Sequence, residues 1–398
     1  MDPILAYENA TCPYYTRGEC RSCSLLGITQ GSRLSSKEAS VLAAIRANGV
    51  SPETVEATQI PHHPWGSRCK VKMNVTGTTT APCIGIIKAD RTSVDLVECP
   101  LPPSHIRNLL SGLREFITDA ALVPYDVEAR RGELKNIIVM SNHDGSQGIL
   151  RFVVRTSESI PRIKKRVTEL QANYPWLSVI TCNIQPVPAA ILEGPEEIFL
   201  TETQMIDERY GELLLSFAPQ SFMQVTHEIA QALYARATKY VGERRFTRAL
   251  DLFCGVGGFS LSIAAACEEV TGVELSARAI ESARYSARRA GFSNTSFVAS
   301  DTEHFLAQNQ GASYDLVVTN PPRRGLSAEI LRHLKVLAPS TIIYSSCSPE
   351  TFGRDCAVLN DTYLLRGIAL FDMFAMSEHC EVLGFLERRG SPEPMPRL

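Results

Sequence analysis

Residues 248–274 read RALDLFCGVGGFSLSIAAACEEVTGVE. The apolar run RALDLF meets a glycine-rich turn, Cys254-Gly255-Val256-Gly257-Gly258. A helical pattern over 258–267 follows, and a second apolar run, EVTGVE, ends at Glu274. A strand, tight turn, helix and second strand in this order make one βα unit of a parallel sheet. Glycines at such a turn let the backbone approach a ligand, and in open sheets ligands lie outside the carboxyl ends of the strands. Glu274 stands where a carboxylate can accept both ribose hydroxyls of an adenosine. The pair predicts a nucleoside cofactor and leaves NAD and S-adenosylmethionine both open.

The same alternation continues outward from this unit. SFVAS, YDLVVTN and STIIYSS are further strands, separated by helical patterns at 276–290, 302–308, 327–337 and 349–360. Repeated βα units imply a parallel sheet covered on both faces. Two last strands, near 364–374 and 380–387, are joined by a short link and predict an antiparallel pair at the sheet edge. That ending fits a methyltransferase fold better than a dinucleotide dehydrogenase. Upstream, a strand and helix occupy 213–240. From 66 to 200, strand-like runs (SRCKVKMNVTG, APCIGIIKA, KNIIVMSN, GILRFVVRT) alternate with helices at 104–120 and 160–172, an α+β pattern. Asn142, Asp144 and Gly145 mark a hairpin turn within it. Ser36 is the expected cap of a helix at 37–48, and the residues before it are rich in cysteine.

The chain has 398 residues, enough for two or three compact units, and a formal charge of -3 gives no global attraction to phosphate. The basic clusters Arg162, Lys164, Lys165, Arg166 and Arg284, Arg288, Arg289 read individually as solvated helix faces. No run reaches the roughly 18 apolar residues of a membrane helix. The start, MDPILAYENATCPYY, lacks the pattern of a signal peptide, so a cytoplasmic location is expected. In a reducing compartment the twelve cysteines are available for metal or catalytic work.

Two segments carry candidate chemistry on the face of the cofactor loop. Asn320-Pro321-Pro322-Arg323-Arg324-Gly325 follows the fourth strand, where a side-chain amide beside a stiff dipeptide suits gripping a planar substrate. Cys347 lies between the fifth strand and a helix opened by Pro349, and a thiol near a helix start is expected to have a lowered pKa. Glu381, opening the last strand, is the candidate base. Far upstream, Cys12, Cys20 and Cys23 are spaced C-x7-C-x2-C, with Cys99 much later. Four such thiols can close a site for zinc or for a four-iron cluster. Cys69, Cys83, Cys182, Cys254, Cys267, Cys356 and Cys380 read as packing residues.

DLFCGVGGFSL, GVELS, TNPPRRG, SSCSPETFGRD and FDMFAMSEHCEVLGFLER together resemble the RNA uracil-5-methyltransferase family, and the resemblance covers nearly the whole chain. It implies a Rossmann-like class I S-adenosylmethionine-dependent methyltransferase domain at 206–398. Ahead of it would come an α+β RNA-binding domain at 36–205 and a cysteine-rich iron–sulfur segment at 1–35, with Cys99 supplied from the middle domain. It also implies Cys347 as nucleophile, Glu381 as proton-abstracting base, and S-adenosylmethionine contacts from Gln224, Phe253, Glu274 and Asn320. Many family members carry aspartate where Asn320 stands.

The early cysteines make the chain similar to the ribosomal RNA branch, in which Cys12, Cys20, Cys23 and Cys99 would hold a [4Fe-4S] cluster. One ribosomal type carries a small β-barrel before its cysteine motif, and with Cys12 so near the start the chain looks most like the type acting on uracil 747 of 23S ribosomal RNA. The expected partner is then a 23S hairpin loop, with no membrane or DNA and a monomeric enzyme. The rivals are a transfer RNA or other ribosomal uridine methyltransferase, an amino-group methyltransferase, an NAD-dependent oxidoreductase and a non-catalytic iron–sulfur RNA-binding protein.

Overall fold

The computed structural model describes residues 10–188 and 191–390, so the opening residues read for a signal peptide lie outside the description. The chain divides into two units. One takes Ser24–His62 together with the chain from Arg209 onward; the other takes the stretch ending at Cys23 together with His63–Glu208.

This division differs from the expected boundary at 35. A helix over Gln30–Arg46 and a short strand, β1 (Thr54–Val55), belong with the C-terminal part of the chain, because Val41 and Ile45 are buried in the same core as Leu250, Val317, Tyr344 and Phe352. Nothing local in the sequence encodes that long-range packing. The helix also starts earlier than expected. Thr29, not Ser36, is its cap, accepting the Ser32 amide at 3.4 Å, and Ser36 sits within it on an exposed face.

In the second unit, Pro13–Thr16 forms one helical turn. It precedes a seven-stranded sheet of β2 (Lys70–Gly77), β3 (Pro82–Ile87), β4 (Ser93–Asp95), β5 (Leu134–Ser141), β6 (Gly148–Val154), β7 (Leu177–Ile184) and β8 (Glu196–Phe199), ordered β4-β3-β2-β5-β6-β7-β8. Helix Ser104–Asp119 covers it with Ile106, Leu109, Leu110 and Leu113, an apolar stripe at helical spacing. The β5–β6 hairpin turns at the expected place, with Gly145 at φ 71. The helix expected over 160–172 is broken at Arg166 into Ile160–Lys165 and Val167–Asn173.

A hairpin of β9 (Ile206–Tyr210) and β10 (Leu213–Phe217) and the helix His227–Gly242 precede the strands of the larger sheet. These are β11 (Phe246–Leu252), β12 (Cys267–Glu274), β13 (Thr295–Ala299), β14 (Leu316–Thr319), β15 (Thr341–Ser346), β16 (Tyr363–Phe371) and β17 (Glu381–Arg388). With β1 they form eight strands ordered β1-β16-β17-β15-β14-β11-β12-β13. Neighbouring pairs are parallel except that β17 runs antiparallel to both β15 and β16. The order reverses at β11, which lies between β12 and β14, so the carboxyl ends of β11 and β14 flank a crevice where such sheets bind ligands. Because β17 is reversed, its first residue, Glu381, falls on the same edge as the last residues of β11, β12, β14 and β15.

Candidate active site

At the end of β11 the chain reverses through three left-handed residues within five positions: Phe253 (φ 61), Gly255 (φ 54) and Gly257 (φ 85). Phe253 adopts this conformation without the freedom of glycine, a strain that clusters at ligand-binding turns. Asp251 braces the turn from beneath. It is fully buried, accepts the Ser260 amide at 2.9 Å and hydroxyl at 2.5 Å, and burial pushes its carboxyl up to about 7. Glu274 accepts the Gly255 amide at 3.3 Å and the Ser276 amide at 2.9 Å, which holds the carboxylate at the crevice. A Cβ at Gly255 would meet nothing within 4 Å, so the backbone there faces open space; at Gly257 it would press on Ala283 and Phe297 at 3.2 Å.

Asn320 joins the crevice after β14, its backbone N–H donating to the Leu252 carbonyl at 3.4 Å. Thus Phe253, Glu274 and Asn320 sit at the ends of three neighbouring strands. Gln224 is buried in the loop before helix His227–Gly242, two residues from Thr226, whose hydroxyl donates to the Met373 carbonyl at 2.8 Å. Asp301 caps the helix Thr302–Gln308 by accepting the Glu303 and His304 amides.

Cys347 and Glu381 are brought together on this edge. Cys347 is half-buried just after β15, before the helix Pro349–Leu359 capped by Ser348. Its thiol is raised, not lowered as its position near a helix start predicts. Loss of hydration raises it most and the Glu381 carboxylate adds to this, outweighing a hydrogen bond and charge from Arg323 that act in the opposite direction. Glu381 is almost wholly buried, and burial pushes its carboxyl up to about 7 although Ser345 donates a 2.5 Å hydrogen bond to it. A carboxyl near neutrality is poised to take and release a proton under working conditions.

Removing the Ser345 hydroxyl takes away the interaction that favours the ionised form, so the carboxyl must titrate higher still. Ser345→Ala is expected to move any rate-limiting ascent of turnover with pH towards alkaline values; an unmoved profile would show that Glu381 does not govern it.

Arg323 is a site residue to which the sequence reading gave no role, although the stiff Asn320-Pro321-Pro322 run points to it. Its backbone is tied to the helix after Cys347. Thr351 donates to the Arg323 carbonyl at 3.3 Å, Arg354 to the Arg324 and Leu326 carbonyls, and buried Asp355 accepts the Leu326 amide and the Tyr344 hydroxyl, each at 2.7 Å. Gly325 (φ 74) is required there, because a Cβ would stand 2.6 Å from the Asp355 carboxylate. An open cavity of about 610 Å³ is lined by Cys347 together with Arg323, Glu350, Leu25, Lys37 and His379.

In the other unit, Cys12, Cys20, Cys23 and Cys99 come within electrostatic reach of one another. The Cys23 thiol is pushed up to about 12, first by burial and then by Cys99 and Cys12, with Cys20 contributing; Cys99 is raised by burial and by Cys12 and Cys20. The Tyr14 hydroxyl accepts the Glu98 amide at 3.2 Å and so ties the early segment to the one bearing Cys99. Among the described residues no three metal-ligating side chains close on a single ion. Of the seven cysteines read as packing residues, all but the half-buried Cys83 are buried.

The fold has a solved counterpart. The tRNA (uracil-54, C5)-methyltransferase of Pyrococcus abyssi, determined with S-adenosyl-L-homocysteine, superimposes with a TM-score of 0.74 at 23% identity, covering 92% of this chain and 85% of that one. The sheet order, the reversed β17 and the shared architecture define a class I S-adenosylmethionine-dependent methyltransferase fold. Residues 196–389 match the family model for tRNA (Uracil-5-)-methyltransferase. The 23S rRNA (uracil(747)-C(5))-methyltransferase RlmC of Pasteurella multocida is 40% identical over 95% of this chain and 100% of its own length. The RlmC of Shewanella amazonensis is 40% identical over 94% and 97%. The chain belongs to the RNA uracil-5-methyltransferase family.

Proposed function

We propose that this protein methylates carbon-5 of uracil 747 in 23S ribosomal RNA from S-adenosylmethionine, through a transient covalent bond between Cys347 and the base. The observation that carries this reading is the meeting of Cys347 and Glu381 on the strand edge that also holds Phe253, Glu274 and Asn320. Relatives similar over nearly their whole length supply the substrate.

When bound, S-adenosylmethionine supplies an electrophilic methyl group. Gln224, Phe253, Glu274 and Asn320 are the residues that would hold it, the last three at the carboxyl ends of the strands. The Cys347 thiolate bonds to carbon-6 of a uridine turned out of its loop, and the π electrons of the ring shift to make carbon-5 nucleophilic. Carbon-5 takes the methyl group as its bond to the sulfonium sulfur breaks and S-adenosylhomocysteine leaves, and Glu381 then takes the carbon-5 proton. The C–H pair then re-forms the 5,6 double bond as the carbon–sulfur bond breaks and the thiolate leaves. Arg323 favours that thiolate against burial and the neighbouring carboxylate. The α+β unit carries the RNA hairpin loop, and the enzyme works as a cytoplasmic monomer. No described helix is long and apolar enough to cross a membrane.

The direct test is mapping of 5-methyluridine in ribosomal RNA from a strain lacking the protein. Loss at position 747 alone is expected, and an unchanged map would overturn the assignment.

Cys12, Cys20, Cys23 and Cys99 form the ligand set of a [4Fe-4S] cluster. The chemistry of the donors fits: four thiols within electrostatic reach of one another, the ligand type that iron–sulfur clusters take. Held by these four thiols, a cluster would crosslink the early segment to the one bearing Cys99. Anaerobically purified protein is expected to contain iron and acid-labile sulfide, and Cys99→Ser to lose both and melt at a lower temperature. Zinc in place of iron would refute the assignment.

A further inference from the structure

The connection between β16 and β17, residues 372–380, is held by a part of the chain more than three hundred residues away. Lys37 is buried, and its ammonium donates to the Asp372 carboxylate at 2.6 Å, the Phe374 carbonyl at 3.1 Å and the His379 carbonyl at 3.3 Å. These three acceptors bracket the connection. Phe371 and Glu381 form the last register pair of β16 and β17; Asp372 directly follows the first, and His379 lies two residues before the second. One ammonium therefore closes the loop just beyond the pair that contains Glu381.

Neighbouring contacts reinforce the closure. The Leu25 amide donates to the Met376 carbonyl at 3.1 Å, Arg33 reaches the Met376 sulfur at 3.1 Å, and the Asp372 amide donates to the Gln59 carbonyl at 2.8 Å. Lys37 and His379 also line the cavity that Cys347 lines.

We propose that Lys37 is a positioning residue for the Glu381 carboxylate, setting where the proton-abstracting group stands over the methylated ring. This rests on the reading of Glu381 as base. A buried lysine is retained only where its charge is matched, and here the matching groups are the two ends of one loop. An apolar side chain could fill the space but would supply no donor to the two carbonyls, and the strand ends would separate. A displacement of about 1 Å in a catalytic group lowers the rate roughly 10²-fold.

The proposal separates the two halves of the reaction. Adduct formation depends on Cys347, and adduct breakdown on Glu381. Lys37→Met combined with Asp372→Asn removes both charges of the pair together, and Lys37→Arg keeps the charge while changing its geometry. Both variants are assayed on a 23S hairpin with S-adenosylmethionine, and the protein–RNA adduct is resolved on a denaturing gel. The expected result is adduct accumulation with product release slowed about 10²-fold in the double variant and less in Lys37→Arg, with affinity for S-adenosylhomocysteine unchanged. Product release at the wild-type rate, or loss of adduct and product together, would overturn it. If the double variant melts below the assay temperature, Lys37→Arg decides by the same criterion. Failure of Glu381→Gln to trap any adduct would instead remove the reading of Glu381 on which the proposal stands.

Discussion

Cys347→Ala is expected to bind S-adenosylhomocysteine as the wild type does while 5-methyluridine formation falls by about 10⁴-fold or more. The reason is chemical: carbon-5 of uracil becomes a nucleophile only after something adds to carbon-6, and no other thiol or hydroxyl takes that part in the proposed reaction. The loss should fall on turnover because the cofactor loop is built from other strands, with Asp251, Gly255 and Glu274 bonded to one another or to Ser260 and Ser276. Cys347 is only half-buried, so the variant is expected to melt near the wild-type temperature. Methylation of a hairpin RNA at a comparable rate would exclude the covalent route.

Glu381→Gln is expected to slow turnover by about 10²–10⁴-fold and to accumulate the methylated adduct, since the bond to Cys347 cannot break until carbon-5 gives up its proton. The same substitution has a second signature in stability. Burial raises the Glu381 carboxyl from the ordinary 4.5 to about 7. A raised folded-state value means that stability is fully present below the unfolded value and is lost as pH rises from about 4.5 through about 7. Glutamine fills the same space and never ionises. The variant should therefore gain stability over the wild type on the order of 3 kcal/mol at pH 8, and the gain should vanish near pH 4. Thermal melts at the two pH values measure it. A gain independent of pH would mean that Glu381 is not the group held near neutrality.

Much of the methyltransferase domain was legible because its information is local. Most strands of the sheet from β11 to β17 are short apolar runs bounded by turn residues and most helices longer periodic ones, so the alternation was legible. The helix expected over 258–267 nevertheless ends at Ile263, and the strand expected near 364–374 ends at Phe371. The antiparallel ending followed from the shortness of the link between the last two strands, which leaves no length for a crossover helix. The cofactor loop was legible because a tight turn demands glycine at defined positions, and Gly255 and Gly257 do have positive φ.

What escaped the reading depends on residues far apart. Helix Gln30–Arg46 was assigned to the middle domain because nothing in its own pattern says that Ile45 packs against the Pro349–Leu359 helix, where a Cβ at Gly353 would come within 3.0 Å of the Ile45 Cα. Nothing local marks Lys37, since its partner Asp372 lies 335 residues away.

From sequence alone came most of the element types in the methyltransferase domain, their order, and hence the strand edge to which Glu274, Asn320 and Cys347 belong, because side-chain period and turn chemistry act over a few residues. The reversed β17 brings Glu381 to that edge. Tertiary structure alone decided the electrostatics of those groups. Burial and the Glu381 charge outweigh a helix start at Cys347, desolvation brings Glu381 close to neutrality, and Arg323 and Lys37 acquire partners. Each of these depends on how much water the packed chain excludes and which distant charge it admits, quantities that exist only once the strands are side by side.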